Sequence, residues 1–274
     1  MRRRLSPLLP CLLLLLGVAN VDARLFRADN GDRRLLGIPL ELQAGRSHCA
    51  PATMAAVMNY YGIATDQRTL AVEVGSTRDT GTDVESMLGI VARSCAQYGI
   101  EVETLVDFDY ARYRRTILAY NRLARKAGAK RLWFTDRGHL DLAKTFETAD
   151  IGLLRRTFGR RERAAFRKAV QGGIDAGAPL IWGVVLGIAP EPELAPYGRG
   201  GHLRLIIGYN AATEEILYAD PWGPGHALKR MPLADAQAIT MSLHRLKRAT
   251  PTRGRSPTMV FGPSPGSDVE RLFD

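Results

Sequence analysis

The chain has 274 residues, of which 46% are hydrophobic and 24% charged, with a formal charge of +10 and three cysteines. That length suits one domain of ordinary size with a sizeable core, and no internal repeat is present. The basic balance permits contact with anionic surfaces, but no nucleic-acid-binding motif with interleaved aromatics accompanies it, so no nucleic-acid partner is expected.

Arg2, Arg3 and Arg4 precede an apolar run from Leu8 to Ala19, and small residues follow at Gly17, Ala19 and Ala23. This order predicts a secretory signal peptide over residues 1–23. The run is too short to span a bilayer, so no stable membrane insertion is expected after cleavage. The expected location is periplasmic or extracellular. Most of the apolar run follows Cys11 rather than preceding it, which argues against lipidation and leaves Cys49 and Cys95 in the mature chain. The signal segment holds three Arg and one Asp, so the remainder keeps +8.

Residues 24–34 form a polar lead-in. Leu35 to Leu42 is a short apolar stretch containing Pro39, which suits an edge strand or an extended segment. A loop then runs into a helix with a thiol at the junction. Met54, Val57, Met58 and Tyr61 recur at i, i+3, i+4 and i+7, and Gly62 supplies a stop. Pro51 is tolerated only in the first helical turn, so Cys49 belongs at or beside the N-cap. There the first-turn N–H groups favour the thiolate, the form that attacks carbon. Gln43 lies six residues upstream, placed to donate from its amide to an oxyanion formed at the sulfur, with the Cys49 backbone N–H as second donor. The competing reading of Cys49 is a buried space-filling residue.

Thr82 with Glu85 three residues later is a capping-box pattern, and Val84, Met87, Leu88, Val91, Ala92 and Cys95 continue at helical spacing. Cys95 therefore falls on a buried face, and a Cys49–Cys95 disulfide is the structural alternative in an oxidising compartment. Glu101 to Phe108 reads as a strand and Tyr110 to Lys130 as a basic helix. Residues 131–161, with Trp133, Phe134 and a surface His139, show no steady period; the whole stretch 109–161 is expected as a helical insertion. A further helix spans Arg163 to Asp175. Leu180 to Leu186 is continuously apolar and predicts a strand buried on both faces, followed by an irregular loop to Gly200 of the kind that lines sites.

Gly200-Gly201-His202 opens a strand to Tyr209, interrupted only by Arg204, and a further strand from Glu215 to Ala219 ends at Asp220-Pro221-Trp222. The short link between them predicts a hairpin. An antiparallel pairing then brings His202 and Asp220 to one end of the sheet. His226, in the loop that follows, is the competing base, and Asp220 read alone is a turn carboxylate before Pro221. A helix near Leu233 to Thr240 and a last apolar stretch with Met241 and Leu243 precede residues 249–274, whose four prolines predict a flexible tail.

Gln43, then Cys49 at a helix start, then His202 and Asp220 on adjacent strands resembles the papain-like cysteine peptidases. The segments Ile38 to Gly62, Gly81 to Leu88 and Gly201-His202 through Trp222 are similar to the bacterial double-glycine leader peptidase family, peptidase C39-like, and its stand-alone relatives. The resemblance implies an α+β, papain-like fold over residues 35–248, with an N-terminal helix carrying the Cys packed on a mostly antiparallel sheet carrying His and Asp. It implies a hydrolase acting on a peptide or protein substrate, with Cys49 as nucleophile, His202 as general base and acid, Asp220 orienting the imidazole and Gln43 as oxyanion donor. Family members commonly carry glycine after the cysteine, where this chain has Ala50. The signal segment also sets it apart from the cytoplasm-facing transporter domains of the family, so leader processing is not its expected role. Two other classes fit the same order of parts: a transglutaminase-like acyltransferase, and a catalytically silent peptide-binding protein. No cofactor is expected: no cysteine or histidine pair has metal-ligand spacing, and no phosphate-cradling glycine loop is present.

Overall fold

A computed structural model describes residues 25–45, 47–76, 82–107, 109–133, 142–191, 200–223 and 225–249. The expected signal peptide, His139 and the expected tail from residue 250 lie outside the described residues. The lead-in holds more order than expected: β1 (Leu25–Arg27) and the first part of β2 (Asp32–Leu35) are strands within it. Three helices follow, α1 (Cys49–Tyr60), α2 (Gln67–Glu73) and α3 (Val84–Ala96), then β3 (Ile100–Val106). The stretch read as an insertion supplies α4 (Tyr110–Ala127), α5 (Leu142–Thr145) and α6 (Ile151–Arg155), and α7 (Arg160–Asp175) comes next. The chain closes with β4 (Leu180–Leu186), β5 (Gly200–Asn210), β6 (Glu215–Ala219), β7 (Lys229–Pro232), α8 (Leu233–Ile239) and β8 (Thr240–Arg248).

Among the described residues eight strands join one antiparallel sheet, in the order β1-β2-β5-β4-β8-β3, with β6 on β5 and β7 on β6. The expected hairpin forms: Leu205 pairs with Ala219 and Asn210 with Glu215. The continuous apolar run of β4 is buried along its whole length because it lies between β5 and β8 with helices packed on the sheet faces, α1 against Ile181 and α7 against Leu180 and Trp182. Glu101 and Glu103 blurred the alternation of β3 in the sequence; they stand opposite Lys247 and Arg245 of β8 and ion-pair with them.

Two apolar clusters divide the core. In one, α1, α2 and α3 pack Met54, Val57, Leu70, Met87, Val91 and Cys95 against Ile181, Leu203, Leu205 and Ile207. In the other, Ile117 and Tyr120 of α4, Leu154 of α6, and Phe166 and Val170 of α7 meet Trp182, Ile206 and Tyr218. Helices α4 and α6 of the stretch read as an insertion thus contribute side chains to the core.

The sequence suggested a one-faced α1. In the structure every residue from Ala50 to Met58 is buried, as is Tyr60. Its alanines are the reason, since small side chains let α2, α3 and the sheet approach from several directions. Gly62, at φ +85, ends the helix in a conformation that favours glycine. The α3 cap also differs from expectation. The carboxylate of Asp83, not Thr82, accepts the Ser86 N–H at 2.8 Å, because Asp83 immediately precedes the helix. The Thr82 hydroxyl instead donates to the Ser47 carbonyl at 2.9 Å, tying α3 to the loop before Cys49.

Gly208 pairs with Arg34 across the β2–β5 ladder, where a Cβ would stand 2.4 Å from the Arg33 carbonyl oxygen. Backbone cannot move aside as a side-chain tip can. Gly208→Ala is therefore expected to cost about 2–4 kcal/mol, read as a lower urea midpoint with unchanged slope.

Candidate active site

α1 and the β5–β6 hairpin bring the cysteine, histidine and aspartate of the sequence motif together. Cys49 is the first residue of α1 and is half-buried. His48, at the N-cap, makes no side-chain capping bond, and the first turn carries no acidic residue. The backbone N–H groups of Ala50 and Leu203 are left to donate to the sulfur. The Thr53 hydroxyl, one turn along, donates to the Leu203 carbonyl at 3.2 Å, which fixes α1 against β5 beside the thiol.

His202, near the start of β5, is hydrogen-bonded to the Cys49 side chain. Its Nε2 stands 2.7 Å from Asp220 Oδ1, which leaves Nδ1 for the thiol. The same carboxylate oxygen accepts the Trp222 N–H at 2.9 Å, and the Trp222 ring lies 5.9 Å from the imidazole centroid. His202 and Asp220 are both buried. The structure gives His226 a backbone role. Its backbone carbonyl accepts the Asp220 N–H at 2.8 Å, so its part is to hold the end of β6.

Opposing effects set the charges of these groups. Burial alone pushes the Cys49 thiol up, but the His202 hydrogen bond and charge, with the two backbone N–H groups, bring it below the ordinary thiol value. Burial pushes His202 down, and the bonds to Asp220 and Cys49 outweigh this and raise it. Burial raises Asp220, whereas His202, the Arg204 charge and the Trp222 N–H lower it overall. A raised imidazole beside a lowered thiol favours the thiolate–imidazolium pair over the neutral couple. Cys95 shows the contrast: buried on α3 without such partners, it is pushed up to about 11. Cys49 and Cys95 are both free thiols, so the disulfide alternative between them is not adopted.

Gln43 is fixed through its backbone. Its N–H donates to the Pro221 carbonyl at 2.8 Å, next to Asp220. The Gln67 amide of α2 clamps the flanking residues, accepting the Ala44 N–H at 2.8 Å and donating to the Leu42 carbonyl at 3.0 Å. The Gln43 side chain donates one N–H to the Gly45 carbonyl. An amide carries a second such hydrogen, and the Gln43 Oε1 is buried without a hydrogen-bond partner.

The sequence reading missed three members of this neighbourhood. Gln67 gave no signal, since a polar residue in a short helix is ordinary. Glu191 lay in an irregular loop. Arg204 did leave a signal, as the lone charge in an apolar strand; it is fully buried and ion-paired to both Asp220 and Glu191. Among the described residues no cluster of His, Cys, Asp and Glu has a metal-binding arrangement, and no helix is long and apolar enough to cross a membrane.

An α+β protein with a half-buried cysteine opening a helix beside a buried His–Asp pair on an antiparallel hairpin has the arrangement of a papain-like thiol peptidase. The chain belongs to the Peptidase_C39 like family, whose sequence pattern matches residues 35–122 and 137–242. No curated protein matches it significantly. Among solved structures, the peptidase domain of Streptococcus ComA, a bifunctional ABC transporter involved in quorum sensing, is 14% identical. Its TM-score is 0.38, over 77% of this chain and 97% of that one. A protein of Bacillus anthracis described as C39-like is 14% identical with a TM-score of 0.43, over 79% and 97%. A double glycine motif protease from an AMS/PCAT transporter, solved with its leader peptide, is 13% identical with a TM-score of 0.36, over 77% and 89%.

Proposed function

We propose that this chain is an exported cysteine peptidase that hydrolyses peptide or amide bonds. The observation that carries the reading is the hydrogen-bonded chain from the half-buried Cys49 thiol through the buried His202 to Asp220. The Cys49 thiolate attacks the scissile carbonyl carbon, and the charge moves to the carbonyl oxygen, where the Cys49 backbone N–H and the Gln43 amide donate to it. As the carbon–nitrogen bond breaks, the His202 imidazolium passes its proton to the leaving amine, and a thioester remains on Cys49. Neutral His202 then takes a proton from water. The hydroxide attacks the thioester, releases the carboxylic acid and restores the thiolate beside a protonated imidazole. Asp220 stays ionised throughout, fixing the ring and stabilising its cationic form.

Turnover of a mixed peptide library in the presence of an added amine tests the reaction class. Free acid as the main product supports hydrolysis. Amide formed with the added amine identifies an acyltransferase instead, and neither product identifies a silent binding protein. Export rests on the signal pattern of residues 1–23.

Contact with anionic envelope surfaces is a second part of the proposal, and α4 supports it. Arg114, Arg115, Leu118, Arg122, Arg125 and Lys126 recur along one exposed face, and the helix contains no acidic residue. Leu118, exposed amid these cations, suits a lipid headgroup layer, which takes both charge and an apolar anchor. The protein is expected to co-sediment with phosphatidylglycerol vesicles at low salt and not with phosphatidylcholine vesicles. Arg122→Glu with Arg125→Glu should weaken that binding on the order of tenfold or more; unchanged sedimentation would contradict the proposal.

A further inference from the structure

His202 and Arg204 are two residues apart on β5, so their side chains leave the same face of the strand. Arg204 Nε stands 2.7 Å from Asp220 Oδ2, the carboxylate oxygen that His202 does not use. The angles there are poorer than those of a hydrogen bond, so the contact is ionic. On its other edge the guanidinium meets Glu191, with Nη1 donating to Oε2 at 3.1 Å and Nη2 standing 3.0 Å from Oε1. The rings of Tyr218 and Trp182 lie 5.0 Å and 5.8 Å from the guanidinium carbon, and the Tyr218 hydroxyl donates to Glu191.

Packing alone does not call for this cation. An apolar residue of similar volume in place of a buried ion pair is often neutral or stabilising. The chemistry of Asp220 does call for it. Burial disfavours the ionised carboxylate, and a protonated one no longer stabilises an imidazolium.

We infer that Arg204, held by Glu191 and Tyr218, is a positioning residue that keeps Asp220 ionised and turned toward His202. The inference rests on the reading of Cys49, His202 and Asp220 as the reacting chain. The charged and titratable groups around the guanidinium come from three sources: Asp220 after β6, Tyr218 on β6, and Glu191 after β4. His202 on β5 and Cys49 on α1 lie further along the same chain. One cation thus faces two carboxylates. Removing the cation makes the field at Cys49 more negative and disfavours the thiolate. Protonation of Asp220 in its absence weakens the imidazolium and acts in the same direction. Removing the Glu191 charge has the opposite effect. A planar guanidinium suits this place because its separate edges serve two carboxylates at once.

The test is the pH midpoint of Cys49 alkylation by iodoacetamide, read by mass spectrometry on the full chain, which requires no known substrate. Arg204→Met should raise the midpoint by about half a unit or more, and Glu191→Gln should lower it. Arg204→Lys, which keeps the charge, should return it toward the parent value. Opposite shifts from two members of one cluster are not produced by loosened packing. Midpoints unchanged in the variants, or moved in the same direction by both charge removals, would overturn the inference. If Arg204→Met does not fold, the downward shift in Glu191→Gln decides. An ordinary thiol midpoint in the parent protein would instead overturn the reading of Cys49 itself, so the two failures are distinguishable.

Discussion

Cys49→Ala is expected to lower peptide hydrolysis about a million-fold, the loss typical when the nucleophile of such a constellation is removed. Folding should be largely kept, because the half-buried thiol sits at the end of α1 and fills little of the core. Cys95→Ala should do the reverse. Its side chain is fully buried between α3 and the sheet, so its removal leaves a cavity and costs about 1–2 kcal/mol while turnover survives. Steady-state rates and urea midpoints measured on both variants check the two expectations together. Hydrolysis surviving in Cys49→Ala would dismiss this cysteine as nucleophile.

Asp220→Asn is expected to lower kcat about 10⁴-fold with little change in KM, because an amide no longer holds the imidazole in the required tautomer or stabilises its cation. Asparagine keeps the shape, and Glu191 still neutralises Arg204, so the variant should fold. Steady-state kinetics with thermal unfolding separate this from general damage. A loss confined to KM would assign Asp220 to substrate binding.

The site was more legible in the sequence than its surroundings, for physical reasons. Pro51, confined to the first helical turn, forced the helix to start at or beside Cys49, and the short link after Asn210 forced a hairpin that carries His202 to Asp220. Both constraints act over a few residues and leave few conformations. The burial of α1 on nearly all sides was not legible, because alanine is compatible with exposure and with close packing alike. β1 and β2 were hidden by their charges: Asp32 and Arg33 have partners in Arg230 and Asp175, far away in sequence. β7 was hidden for a similar reason, since four residues, Lys229–Pro232, show no pattern until β6 pairs with them. Arg204 was visible as an anomaly, but its meaning depended on Glu191, which only the folded chain brings to it.

The pH dependence of Cys49 alkylation in the parent protein, set beside His202→Ala, tests the thiolate–imidazolium pair most directly. Below its lowered pKa the thiol is protonated and inert; above it, reactive thiolate persists while the raised pKa of His202 keeps the imidazole charged. The midpoint should therefore fall below the ordinary thiol value of about 8.5, and His202→Ala should move it back up. A parent midpoint at or above that value, or a Cys49–Cys95 disulfide in the purified protein, would contradict the pairing of Cys49 with His202.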